Sequence, residues 1–134
     1  GYIPSVTDLY YRGTNQGGFT SPTNYVTFYL DHITLIDTAQ DKNIVGSNYF
    51  NFAGHYNLNI EGTFCNGATG QRILTLYRGK NTGWYSFATH SFAGASCTGN
   101  TTISIPVDQT IGSAMLRLSF GPSITGDIYR IWLS

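Results

Sequence analysis

Tyr56, Leu58, Ile60, Gly62 and Phe64 occupy every second position of one run, with Asn57, Asn59, Glu61 and Thr63 between them. A repeat of two places the first set on one face of an extended strand; a helix, repeating every 3.6 residues, would scatter it around its circumference. Similar alternation recurs in Tyr25–Ile36, Ile73–Tyr77, Trp84–Phe92, Ile103–Val107, Met115–Phe120 and Ile128–Leu133. Between these runs stand turn-forming clusters: Asn66-Gly67 with Thr69-Gly70, Gly79–Gly83, Gly94–Asn100 and Gly121–Gly126. Within the first run the phase reverses after Leu30, which predicts a bulge near Asp31-His32. The polar stretch Asp37–Ser47 reads as a loop. No window supports a helix longer than a turn. Short strands joined by Gly-rich turns predict an all-β fold, a sandwich or barrel.

The chain has 134 residues, enough for one domain with a real core. Residues 1–24 read as a leading segment packing on the body, and 25–134 as the domain. Seven basic and seven acidic residues balance, and charged residues are 10% of the chain against about 25% in an ordinary soluble domain. That balance predicts neither a nucleic-acid partner nor membrane insertion. Ile73-Leu74-Thr75-Leu76-Tyr77 and Ile128–Leu133 are apolar at successive positions, hence on both faces. A strand of that kind needs cover on its outer side too, which a second copy of the chain would supply.

Four segments together resemble the C1q/TNF-like family: Tyr49–Ile60 with its Gly54-x-Tyr56 entering a strand, Arg72–Lys80, Ile105-Pro106-Val107 followed by Gly112–Phe120, and Ile128–Leu133. The resemblance covers about residues 25 to 134. It implies a jelly-roll sandwich of about ten antiparallel strands assembled as a compact homotrimer. It further implies a non-catalytic tip on a longer fibre, with phage or viral fibres, spore-surface filaments and collagen-like stalks as the settings. The expectation is a receptor-binding or adhesion domain at an extracellular, virion or cell or spore surface, recognising a cell-surface glycan or protein. A trimerisation head without its own ligand and a glycan-degrading enzyme are the alternatives.

Trp84 and Tyr85, with Arg78 and Lys80 before them and His90 after, form the candidate ligand site, because sugar rings stack on aromatic faces while Arg and His hold hydroxyls; packing in the core or at a trimer seam is the more ordinary reading of the same residues. By alternation Trp84, Ser86, Ala88 and His90 share one face. Tyr10, Tyr11 and Arg12 make a lesser group of the same chemistry. Cys65 and Cys97, the only cysteines, are a disulfide candidate or two thiols. Asn100-Thr101-Thr102 has the spacing of a glycosylation acceptor. Asp37, Asp41 and Asn43 could hold calcium, but their spacing is not that of an EF-hand and no Glu closes it, so a solvated loop is the preferred reading. No cofactor is implied, and His32, His55 and His90 lack metal-ligand spacing. Asp31-His32 has no nucleophile elbow beside it. Glu61 is the acid a glycosidase reading would need, though pairing with Arg72 or Arg78 on a neighbouring strand accounts for it. His55 reads as exposed at a tip.

Overall fold

The computed structural model describes residues 5–134; Tyr2, in the leading segment, lies outside them. Eleven strands run in order: β1 (Thr7–Tyr11), β2 (Val26–Phe28), β3 (Ile33–Leu35), β4 (Lys42–Val45), β5 (Phe50–Asn51), β6 (Asn57–Asn66), β7 (Arg72–Lys80), β8 (Gly83–Phe92), β9 (Ser96–Pro106), β10 (Ser113–Phe120) and β11 (Ile124–Leu133). A single 3-10 turn, Gln109–Ile111, starts at Asp108, whose carboxylate accepts from the Thr110 amide at 2.8 Å. No α-helix occurs among the described residues, and no helix is long and apolar enough to cross a membrane.

The strands form two antiparallel sheets. The first has the order β2-β3-β11-β6-β9, with β1 continuing the line of β3 along the same edge of β11. The second has the order β4-β10-β7-β8, with β5 beside the start of β10. Their inner faces meet in one core. Leu58, Ile60, Phe64, Ile128, Ile131 and Leu133 come from the first sheet, and Ile44, Leu74, Leu76, Leu116, Leu118 and Phe120 from the second. Phe64 packs between Phe92 and Phe120, at ring separations of 5.4 and 5.9 Å. Alternation dictates this pairing of sheets, because each strand has one apolar row and loses water contact only by facing another such row.

Several local readings change. The phase reversal after Leu30 is a hairpin rather than a bulge: β2 and β3 are separate strands that pair with each other, and the Tyr29 amide donates to the His32 carbonyl at 2.8 Å. The stretch Asp37–Ser47 contains β4, whose Lys42 and Ile44 are both fully buried. A charged residue at a core position hid that strand. Gly94–Asn100 contains the start of β9, where Cys97 lies opposite Cys65 of β6 and the two are joined in a disulfide. The leading segment supplies β1, and Leu9, Tyr10 and Phe19 enter the core.

A register shift between Ile128 and Arg130 lets Ile128 and Ile131 both point inward. That bulge explains why Ile128–Leu133 looks apolar on both faces. The outer side of β11 then carries Arg130 and Trp132, with the guanidinium 4.3 Å from the indole centroid. Part of the cover that the sequence assigns to a second copy thus comes from arginines of the same chain.

Candidate functional site

The outer face of the second sheet carries an aromatic pair aligned with a cation that has no carboxylate partner among the described residues. On β7, Leu74 and Leu76 point inward, so Tyr77 points out. On β10, Leu116 and Leu118 point inward, so Arg117 points out directly opposite Tyr77. Its guanidinium carbon lies 4.0 Å from the Tyr77 ring centroid and 5.2 Å from that of Trp84. Trp84 reaches this position because its partner on β7 is Gly79: a Cβ there would stand 2.6 Å from the indole. Tyr77, Arg117 and Trp84 therefore form a continuous half-buried plate across three neighbouring strands. Arg117 Nε is buried and has no hydrogen-bond partner among the described residues. Polar neighbours on the same face are Thr75, Ser86 and Ser119. No enclosed pocket accompanies the plate; the face is open.

The candidate residues do not all converge there. Trp84 joins the plate. A register shift in β8 at Phe87 turns the strand by one position, so Ala88 and His90 lie opposite Leu76 and Leu74 on the inner side. His90 packs edge-on against Phe92 at 5.1 Å, and burial lowers its pKa below the ordinary histidine value. The structure thus separates Trp84 from His90, which simple alternation had placed on one face. Tyr85 lies on the opposite side of its strand from Trp84, with Arg78 5.6 Å from its ring, and its hydroxyl donates to the Thr82 carbonyl at 3.2 Å. Sequence reasoning missed Arg117 and Tyr77. The signal available was the exact inward alternation of Leu116 and Leu118, which forces Arg117 outward.

The remaining candidates resolve individually. Tyr11 and Arg12 belong to the first sheet's outer side, where Arg12 stands 5.3 Å from the Tyr129 ring; Tyr10 is buried beside Leu9. Beside the Asp37–Asp41 region the Lys42 ammonium donates to the Gly121 carbonyl at 3.1 Å and the Gln40 carbonyl at 3.4 Å. Burial lowers its pKa, and Asp37 and Asp41 partly offset that. Among the described residues no group of three His, Cys, Asp or Glu side chains is placed to hold a metal. His55 is buried rather than exposed, with Nε2 3.4 Å from Thr7 Oγ1. The ring is held there because the Gln109 side chain ties down the Gly54 amide and the His55 carbonyl. His32 Nδ1 lies 2.6 Å from Asp31, and its ring stacks on Tyr29 at 4.8 Å. Nε2 faces Asp127 at 3.9 Å, so both ring nitrogens look toward carboxylates instead of a hydroxyl nucleophile. Glu61 stands opposite Arg130 and Thr102 in the first sheet, whereas Arg72 and Arg78 belong to the other sheet; the expected cross-strand pairing is overturned by topology. Asn100 is exposed on β9.

No protein-family model, that of C1q/TNF domains included, matches the chain, and no curated protein does. Solved structures do match in fold. A mutant of a family 29 carbohydrate-binding module shares 11% identity at a TM-score of 0.62, over 97% of this chain and 91% of that one. A family 6 carbohydrate-binding module shares 12% at 0.61, over 97% and 92%. A family 29 module from Piromyces equi shares 16% at 0.57, over 98% and 91%. The all-β jelly-roll sandwich is therefore a shared architecture.

Proposed function

We propose that this chain is a non-catalytic carbohydrate-binding domain that lays a sugar chain on the outer face of its second sheet. The observation that carries the reading is the half-buried plate of Tyr77, Arg117 and Trp84, centred on a guanidinium that makes no hydrogen bond among the described residues. Pyranose rings present flat C–H patches that stack on aromatic faces, and their hydroxyls accept from guanidinium donors. The likeness in fold to carbohydrate-binding modules of families 29 and 6 supports the same reading. Glycoside hydrolysis asks for two carboxyl groups flanking one bond. The strands of the second sheet carry no Asp or Glu, which favours binding over turnover. The disulfide Cys65–Cys97 fits an extracellular setting.

Trp84→Ala should abolish binding on a glycan array while the melting temperature stays close to that of the wild type. Unchanged binding would overturn the site, and a collapse in melting temperature would make Trp84 a structural residue. Release of reducing ends from any bound glycan, lost in Glu61→Gln, would overturn the non-catalytic reading. The finer form of the proposal is display as a homotrimer at a viral, phage or spore-surface tip. The hairpin apex favours self-association, since Leu30 is 98% exposed beside Tyr29 at 54%. Light scattering should then give about three times the 14.7 kDa chain mass, falling to the single-chain mass in Leu30→Glu. A wild-type mass of one chain would sink the trimer.

A further inference from the structure

Resting on the binding reading above, we infer that the ligand is an acidic sugar, whose carboxylate or sulfate group pairs with Arg117 while its ring stacks on Trp84 and Tyr77. The formal balance of the whole chain conceals a division between its sheets. Five of the seven basic residues, Lys42, Arg72, Arg78, Lys80 and Arg117, lie on strands of the second sheet, and none of the seven acidic residues does. Asp8, Glu61 and Asp127 are on strands of the first sheet, and Asp31, Asp37, Asp41 and Asp108 are in connections. Two of the second sheet's other cations are answered by backbone carbonyls: Lys42 by those of Gln40 and Gly121, and Arg72 by that of Gln71. Arg117, in the middle of the outer face, is answered among the described residues by aromatic rings alone.

The first sheet contains the informative contrast. Arg130 also projects from a central strand and also lies over an indole, 4.3 Å from the Trp132 centroid. Its Nε donates to Asp8 Oδ1 at 2.7 Å. Arg117 repeats that arrangement on Tyr77 and Trp84 without a carboxylate, and its buried Nε has no partner. A buried charged donor left without an acceptor is costly. A planar guanidinium matches a carboxylate or sulfate in bidentate geometry. The terminal nitrogens of Arg117, unlike its Nε, are not buried and also have no hydrogen-bond partner among the described residues; an anion brought by a ligand would meet them, and the rings on either side select an anion borne on a flat-faced sugar.

Affinity electrophoresis in native gels tests this, with polygalacturonate, alginate and chondroitin sulfate as acidic probes. The neutral probes are methyl-esterified polygalacturonate, mannan and hydroxyethylcellulose, and oligothymidylate represents nucleic acid. At least one acidic polymer should retard the protein. Binding should weaken about tenfold or more in Arg117→Gln, fall with added salt, and stay unchanged in Arg130→Gln. Arg117→Lys, which keeps the charge but loses the planar fork, should lie between. Polygalacturonate, if it is a ligand, should lose its effect on the wild type once esterified, a comparison that needs no variant. Equal retardation by neutral polymers, insensitive to Arg117→Gln, would overturn the acidic class while leaving the plate as a sugar site. Retardation by acidic polymers that Arg117→Gln does not weaken would reduce the effect to the sheet's general charge and overturn the proposal. Stronger retardation by oligothymidylate would replace it with a nucleic-acid site. No retardation by any polymer would overturn the binding reading together with this one.

Discussion

Arg117 and His90 show how far a side chain's role departs from its neighbourhood in sequence. Arg117 sits between two leucines that fill the core, and only the strand's alternation lifts it onto the outer face. A cation over aromatic rings contributes about 0.5–2 kcal/mol, more as water is excluded, so Tyr77 and Trp84 can hold the guanidinium in place before any ligand arrives. His90 has the opposite history: an apparent surface ligand turned against Phe92. Its lowered pKa makes it sensitive to acid in a definite direction. Below the unfolded chain's ordinary value near 6.5, the unfolded state takes up the proton first, so stability falls with pH until the folded-state pKa is passed and then levels. Denaturant titrations between pH 7.5 and 5.5 should show wild type losing stability relative to His90→Gln as the pH falls, with their difference constant above that window. A constant difference across the range would mean that His90 takes up its proton equally in the folded and unfolded states, so that burial does not shift its pKa. The disposition of Trp84 was half legible: its residue type suggested a platform, whereas the glycine that seats it and the arginine beside it come from positions whose pairing no linear pattern reveals.

At the scale of elements, irregularities in the strands decide the site. The shift in β8 at Phe87 sends Trp84 outward and His90 inward, and the shift in β11 at Tyr129 repeats the device on the other sheet. A one-residue slip exchanges faces completely, so a reading by strict alternation is right up to each bulge and inverted beyond it. Gly126 marks the same strand: at φ +152, a Cβ would lie 1.9 Å from the Thr63 carbonyl oxygen, so only glycine lets β11 and β6 approach there. Gly79 has a separate purpose. Its φ lies outside the positive region that favours glycine, and the obstacle to a larger residue is the Trp84 ring. Gly79→Val should therefore leave the strand pairing intact, displace the indole from Arg117 and reduce glycan binding about tenfold. Intrinsic Trp fluorescence and a binding titration check the two halves. Full binding with an unshifted spectrum would show that the plate does not depend on this close approach. β4 escaped sequence reasoning for a different reason. Lys42 occupies a core position at which an apolar residue is the rule, and carbonyls of Gln40 and Gly121 make its burial tolerable.

For the molecule as a whole, the disulfide and the charge division matter most. Cys65 and Cys97, 32 positions apart, tie β9 to β6 on the first sheet. Closing a loop of that length restricts the unfolded chain and contributes about 3–4 kcal/mol in the chain-entropy model. Thiol titration of the denatured protein should find none before reduction, and reduced protein should unfold at lower denaturant by that amount. Two thiols before reduction would show the bridge absent in the sample. The sequence by itself determined the all-β class, most strand positions and the aromatic character of the surface, because each depends on local periodicity and composition. The tertiary structure alone decided which strands are neighbours, where the register slips, and that a chain of balanced charge has one sheet without acids. Those properties arise when distant strands pair: Arg117 meets Tyr77 and Trp84 only because β10, β7 and β8 lie side by side. Charge that cancels along the chain does not cancel across the two faces of the sandwich.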